Sequence, residues 1–216
     1  YIADSTGERE RGGGMGALGG AAGLGIILGP GLGGWLGTES LSTPFFVAAA
    51  FSLVSMLLMA LLLPESLPPE ARSVARKVGL VDFRELWVAL HSPIAGLMLL
   101  VFAGTIGTSN FEAIFGLYAL DVLGYGPERV GAILTVVGIV AVIGRGLLTG
   151  LATSRWGETT VIKGALLAGS VAFLLLLLAR EHTAVLVTTG LFALTTAFFR
   201  PAVHSLTSQR ATVGPG

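Results

Sequence analysis

Six apolar runs of about twenty residues, the length that crosses a hydrocarbon core, alternate with polar joints along this chain. They fall at residues 15–36, 44–63, 94–118, 130–151, 161–179 and 184–204. One joint is much longer than the others: residues 64–92 are too many for a turn and too polar to span. Within it Leu80, Phe83, Leu86, Trp87 and Leu90 recur at helical spacing, with Asp82, Arg84 and Glu85 elsewhere around the wheel. That pattern predicts a short helix lying in the membrane interface. The chain as a whole reads as an all-α membrane protein of six transmembrane helices, divided two against four.

The basic residues sort by joint. Arg9 and Arg11 precede the first span, Arg72, Arg76, Lys77 and Arg84 fill the long joint, Arg155 and Lys163 lie between the fourth and fifth spans, and Arg210 follows the sixth. The alternate joints hold only Arg129 and Arg180. By the positive-inside bias both chain ends and the long joint face the cytoplasm, and the spans run outward and inward in turn. Composition agrees, since 53% of residues are hydrophobic and 12% charged, with mean hydropathy +0.82, against about a quarter charged in ordinary soluble domains. Formal net charge is zero and there is no basic tract, so no nucleic-acid partner is expected. The absence of cysteine removes disulfides, thiolate metal sites and cysteine nucleophiles. His91, His182 and His204 stand near span ends without ligand-like spacing, so neither a metal site nor a cofactor is expected. Trp35, Trp87 and Trp156 fall near interfaces, where aromatic anchoring accounts for them.

The first span has an unusual interior. It reads GALGGAAGLGIILGPGLGG from Gly16 to Gly34, a composition that would not stay helical in water, where interior Gly and Pro cost roughly 1 and 3 kcal/mol each. In lipid no water competes for the backbone, and small residues let helices pack closely. Gly25, Gly29, Gly33 and Gly37 form one ridge, and Gly12, Gly16 and Gly20 a second. Pro30 removes one helix hydrogen bond and predicts a bend. The GxGxxG at residues 14–19 is not a dinucleotide fingerprint, because GERERGG rather than a hydrophobic strand precedes it. No phosphate-binding loop occurs, so nothing points to ATP-driven transport.

In spacing, Gly16, then eight residues, Gly25, three residues, Gly29 and Pro30, two residues, and Gly33 and Gly34 fill every position of a known signature. It resembles the fifth-helix motif of the drug:proton antiporters of the major facilitator superfamily, the branch that includes the tetracycline-efflux proteins. Pro64, Glu65 and Ser66 resemble the element that follows the sixth helix, and Gly150 to Gly157 resembles the second-half charged loop, although Ser154 replaces its acid and Glu158 and Thr159 its basic pair. The sequence DSTGER at 4–9 has a loose echo in SLTSQR at 205–210. The resemblance implies a partial bundle covering helices five to ten of twelve. Residues 1–63 would end the N-terminal bundle, 64–92 form the cytoplasmic central loop, and 93–216 supply four spans of the C-terminal bundle. The opening at Tyr1, with no charged and apolar leader, fits an internal portion of a longer protein without a signal peptide.

Within that frame the motif glycines and Pro30 are expected to form the sliding contact between bundles, or simply a tight helix packing. Thr105, Thr108, Ser109 and Glu112 recur at three and four residues with Asn110 beside them, so one face of the third span is polar. A carboxylate inside a membrane is costly unless neutral, paired or facing water. Glu112 therefore reads as a proton- or cation-binding group in a cavity, or as a solvated group near the outer interface. Arg145, Arg155 and Arg200 are candidate gating charges; Arg145 and Arg200 equally suit snorkelling to the interface. The function expected is secondary active transport without enzymatic activity: export of small amphipathic compounds against protons at the plasma membrane, by alternating access and with the remaining helices of the same protein. Uptake or facilitated diffusion of a neutral metabolite is the second reading. A six-helix membrane scaffold or enzyme is the third.

Overall fold

A computed structural model describes residues 8–63, 87, 91 and 95–212, with side chains described at 12–63, 87, 91 and 95–198. The interfacial helix expected around residues 80–90 lies outside the described residues, apart from Trp87. Among the described residues the structure is all-α. The helices are α1 (Glu8–Leu36), α2 (Thr43–Leu62), α3 (Ala95–Asp121), α4 (Pro127–Ile143), α5 (Thr149–Trp156), α6 (Glu158–Leu178) and α7 (His182–Thr212). A π-helical turn, Gly144–Leu148, joins α4 to α5 without a break. Among the described residues five helices are long and apolar enough to cross a membrane, with α4, the π-turn and α5 counting as one span of 30 residues. The sixth apolar segment is His182–Phe198 of α7.

Helix ends follow local chemistry. α3 runs three residues past its expected end because it closes on a glycine cap: Gly124 has φ +68°, the Tyr125 N–H donates to the Ala119 carbonyl at 2.9 Å, and the Gly124 N–H to Leu120 at 3.2 Å. Pro127 then opens α4 at its first turn, where a missing N–H costs nothing. The turn between α5 and α6 depends on Gly157, at φ +77°.

Helix α7 is the centre of the arrangement, packing on α3, α4, α5 and α6, while α1 packs chiefly on α4. The core is aromatic: Phe192 of α7 sits 4.5 Å from the Phe111 ring and 4.7 Å from the Phe173 ring, centroid to centroid, and Phe111 stacks on Phe115 at 4.9 Å. Ile133 and Val185 are fully buried beside them. Elsewhere large apolar side chains face outward, and α2 buries none of its side chains. Outward apolar faces are the stable arrangement where the solvent is lipid.

Candidate functional site

The α1–α4 crossing is backbone against backbone. A Cβ on Gly131 would fall 2.6 Å from the Pro30 carbonyl oxygen and 2.8 Å from the Gly34 Cα, while one on Gly34 would fall 2.5 Å from the Pro127 oxygen. Two turns further along α4, a Cβ on Gly138 would stand 2.8 Å from the carbonyl oxygen of Ile26. That oxygen has lost its helical donor, because residue 30 is proline and has no N–H. The proline thus leaves that carbonyl without its helical donor where the bare backbone of Gly138 approaches it. α1 nonetheless continues as helix through Pro30 to Leu36.

Of the motif residues, Pro30 and Gly34 lie at this crossing. Gly16, Gly25, Gly29 and Gly33 meet nothing within 4 Å among the described residues. The contact with α4 uses the adjacent face, at Gly23, Gly31, Gly34 and Gly37. Gly25, Gly29 and Gly33 of the expected ridge are therefore free of α4, and only Gly37 at its end reaches Pro127, since a ridge at four-residue spacing drifts around the helix relative to the face that α4 covers. Sequence reading also passed over Gly131 and Gly138. Their seven-residue separation, two turns on one face of the fourth span, was the available signal.

Beside the crossing lies a cavity of about 370 Å³ bounded by α1, α3, α4, the π-turn and α7. Glu112 and Arg145 both line it, with the hydroxyl-bearing Thr108 and Thr196 and the rings of Phe111 and Phe192. Ile26, Pro30 and Gly138 form the side nearest the crossing. Among the described residues Glu112 and Arg145 make no ion pair within 4.0 Å, and both are exposed to the space between the helices. The π-turn sets the position of Arg145. Both the N–H and the hydroxyl of Thr149 donate to the Gly144 carbonyl, the hydroxyl at 2.9 Å, and the same hydroxyl lies 3.3 Å from the Ala197 carbonyl of α7. Gly144 is the point of closest approach, where an added Cβ would stand 2.7 Å from the Ala197 Cβ. Extra-residue turns of this kind recur at functional sites because they re-aim the side chains beyond them.

The other polar residues of α3 divide among neighbouring openings. Thr105 joins Thr108 in a cavity of about 220 Å³ with Ser170, Thr195 and Thr196. Asn110 lines an apolar opening of about 240 Å³ against Phe173 and Leu176 of α6. Ser109 is exposed and lines none of these three. Thr108 and Thr196 line both the 220 and the 370 Å³ spaces, at the wall between them, their hydroxyls donating to Gly104 and Ala193 carbonyls of their own helices at 2.6 and 2.9 Å. Arg155 is exposed near the α5–α6 turn, away from the Glu112 cavity; the Arg200 side chain lies outside those described. Among the described residues no cluster of three acids or histidines could hold a metal ion.

An apolar helical bundle with an acid and a base lining one cavity between helices fits a polytopic membrane protein of the transporter class. The Major Facilitator Superfamily profile matches residues 1–214, and the chain belongs to that family. It is 32% identical to multidrug resistance protein 2 of Bacillus subtilis (strain 168), over 98% of this chain and 53% of that protein. It is 30% identical to multidrug resistance protein 1 of the same strain, over 98% of this chain and 53% of that protein. Over 82% of this chain it is 30% identical to 44% of the class C tetracycline resistance protein of Escherichia coli. The chain spans about half the length of the curated relatives it matches.

Proposed function

We propose that this chain forms part of a proton-coupled exporter of small amphipathic compounds at the plasma membrane, working by alternating access. The observation that carries the reading is the cavity in which Glu112 and Arg145 face one space walled by aromatic rings and hydroxyls. Such a space suits a ligand with an apolar body and few polar groups. Relatives named for resistance to multiple drugs and to tetracycline support the same substrate class. In this reading Glu112 takes up and releases the proton, Arg145 is the fixed positive charge across the cavity, and Thr105, Thr108 and Thr196 offer hydroxyls along the path. Ser109 and Asn110 flank that path, Arg155 and Arg200 act near its cytoplasmic end, and the Ile26 carbonyl offers an acceptor at the α1 side.

The domain assignment follows from the same reading. Residues 1–63 end one bundle, 64–92 form the cytoplasmic loop and 93–216 belong to the second bundle, with both ends of the chain on the cytoplasmic side. The α1–α4 crossing then joins the bundles, and the uncovered ridge of Gly16, Gly25, Gly29 and Gly33 is left for helices outside this chain. The test is Glu112→Gln in the full-length protein, reconstituted in vesicles with an imposed pH gradient and a fluorescent amphipathic cation. Substrate movement against its gradient should stop while binding persists. Unchanged transport with unchanged pH dependence would sink proton coupling through Glu112, and movement only down the substrate gradient in the unmutated protein would instead favour facilitated diffusion.

A further inference from the structure

A further cavity lies on the other side of α7. It holds about 410 Å³ between α5, α6 and α7, and its walls are apolar: Ala152 and Trp156, Gly164 and Ala168, Leu194 and Phe198. The polar side chains along it are two threonines, and the Thr195 hydroxyl is already spent on the Phe192 carbonyl at 2.7 Å. Gly164 leaves the floor open, since an added Cβ there would meet nothing within 4 Å. From Thr160 to Ala168 the groove follows α6 for eight residues, about 12 Å at 1.5 Å per residue. One leaflet of a hydrocarbon core is about 15 Å deep. The groove therefore runs through most of one leaflet and is lined almost wholly by apolar side chains.

Its shallow end is positive. Arg155 is three residues from Ala152 and next to Trp156 in sequence, and Lys163 is three residues from Thr160 and next to Gly164; neither lines the cavity itself, and both flank the end of it nearest the α5–α6 turn. Both are exposed, and among the described residues neither makes an ion pair within 4.0 Å. Glu158, the acid of this turn, already holds an interaction of its own. Trp156 is 62% exposed, the placement of an interfacial anchor. Basic groups at the membrane-surface end of a groove between helices attract anionic headgroups.

We propose that this groove binds one anionic phospholipid of the leaflet that meets the α5–α6 turn, its acyl chain along α6 and its headgroup phosphate between Arg155 and Lys163. The length and apolar lining of the groove select an acyl tail, and the two cations select the headgroup. The site is separate from the Glu112 cavity and does not depend on what is transported.

Full-length protein with Trp156 as its only tryptophan, the others replaced by phenylalanine, is reconstituted in phosphatidylcholine. Phosphatidylglycerol brominated on its acyl chains is then titrated in, with brominated phosphatidylcholine in a parallel series. Quenching of Trp156 should saturate and be competed by unbrominated phosphatidylglycerol, with a preference for the anionic lipid of roughly 30-fold from two surface cations. Arg155→Gln with Lys163→Gln should bring the two lipids close to parity while saturable quenching remains. Gly164→Leu, which fills the floor, should remove saturation. If that variant does not fold, the competition series on the otherwise unmutated protein decides alone. Equal, non-saturating quenching by both lipids overturns the proposal, and so does no quenching by either, which would mean that protein covers the groove.

Discussion

Replacing Gly131 by alanine should separate α1 from α4. The new methyl would stand 2.6 Å from the Pro30 carbonyl oxygen and 2.8 Å from the Gly34 Cα. Ordinary contact for a Cβ begins near 3.4 Å, so the helices must part by roughly 0.8 Å at the crossing, or the methyl must be strained against backbone that no rotamer change can clear. Overpacking of this kind costs about 1–3 kcal/mol, which shifts the packed-to-unpacked ratio about 5- to 150-fold. Gly19→Ala on α1 is the matched control, because nothing lies within 4 Å of its Cβ position. The readout exploits the lack of native cysteine in the chain. A Cβ on Gly23 would be 3.5 and 3.6 Å from the two Val142 methyls, and a cysteine Sγ at 142 takes the place of one methyl, so Gly23→Cys with Val142→Cys puts two thiols close enough to be cross-linked across the same crossing. Added Gly131→Ala should slow cross-linking and lower the melting temperature, and Gly19→Ala should leave cross-linking unchanged. Equal cross-linking in both backgrounds would refute the backbone-contact account of this crossing.

Two further substitutions probe the Arg145 turn and the aromatic core. Gly144→Ala should cost about 1–3 kcal/mol, because its methyl would sit 2.7 Å from the Ala197 Cβ, whereas Gly146→Ala meets nothing within 4 Å and should be neutral in thermal unfolding. Phe192→Ala should destabilise by about 3–5 kcal/mol and join the cavities of about 220 and 370 Å³ that its ring separates, so bulkier amphipathic ligands should gain affinity in direct binding assays.

Hydropathy placed the spans because lipid imposes a length on every crossing helix, and that constraint is written locally in residues 44–63 or 161–179 as plainly as in any structure. Span ends were harder to place. α3 extends to Asp121 because Gly124 adopts a left-handed conformation, a choice made by three residues rather than by the run before them. Glu112 was legible as an acid on a polar face, yet its cavity-mate was not. Arg145 reads in sequence as a charge near a helix end, and what brings it to the same space is a π-turn held by Thr149 and by the bare approach of Gly144 to α7. Neither feature leaves a periodicity to count. The glycines of α1 drew attention by their number, while the pair that decides its contact with α4, Gly131 and Gly138, stands on the partner helix and matters through what it lacks.

The π-turn also divides one long rod into two registers. A residue added to an α-helix rotates everything after it by about 100°, and the widened turn at Gly144–Leu148 absorbs such an addition without interrupting the span. The portion before it is indexed on α1 through Gly131 and Gly138; the portion after it is indexed on α6 and α7 through Ala152. The span works as a coupling with a fixed angular offset: one half keyed to the glycine crossing, the other to the aromatic bundle, and Arg145 seated at the step between them.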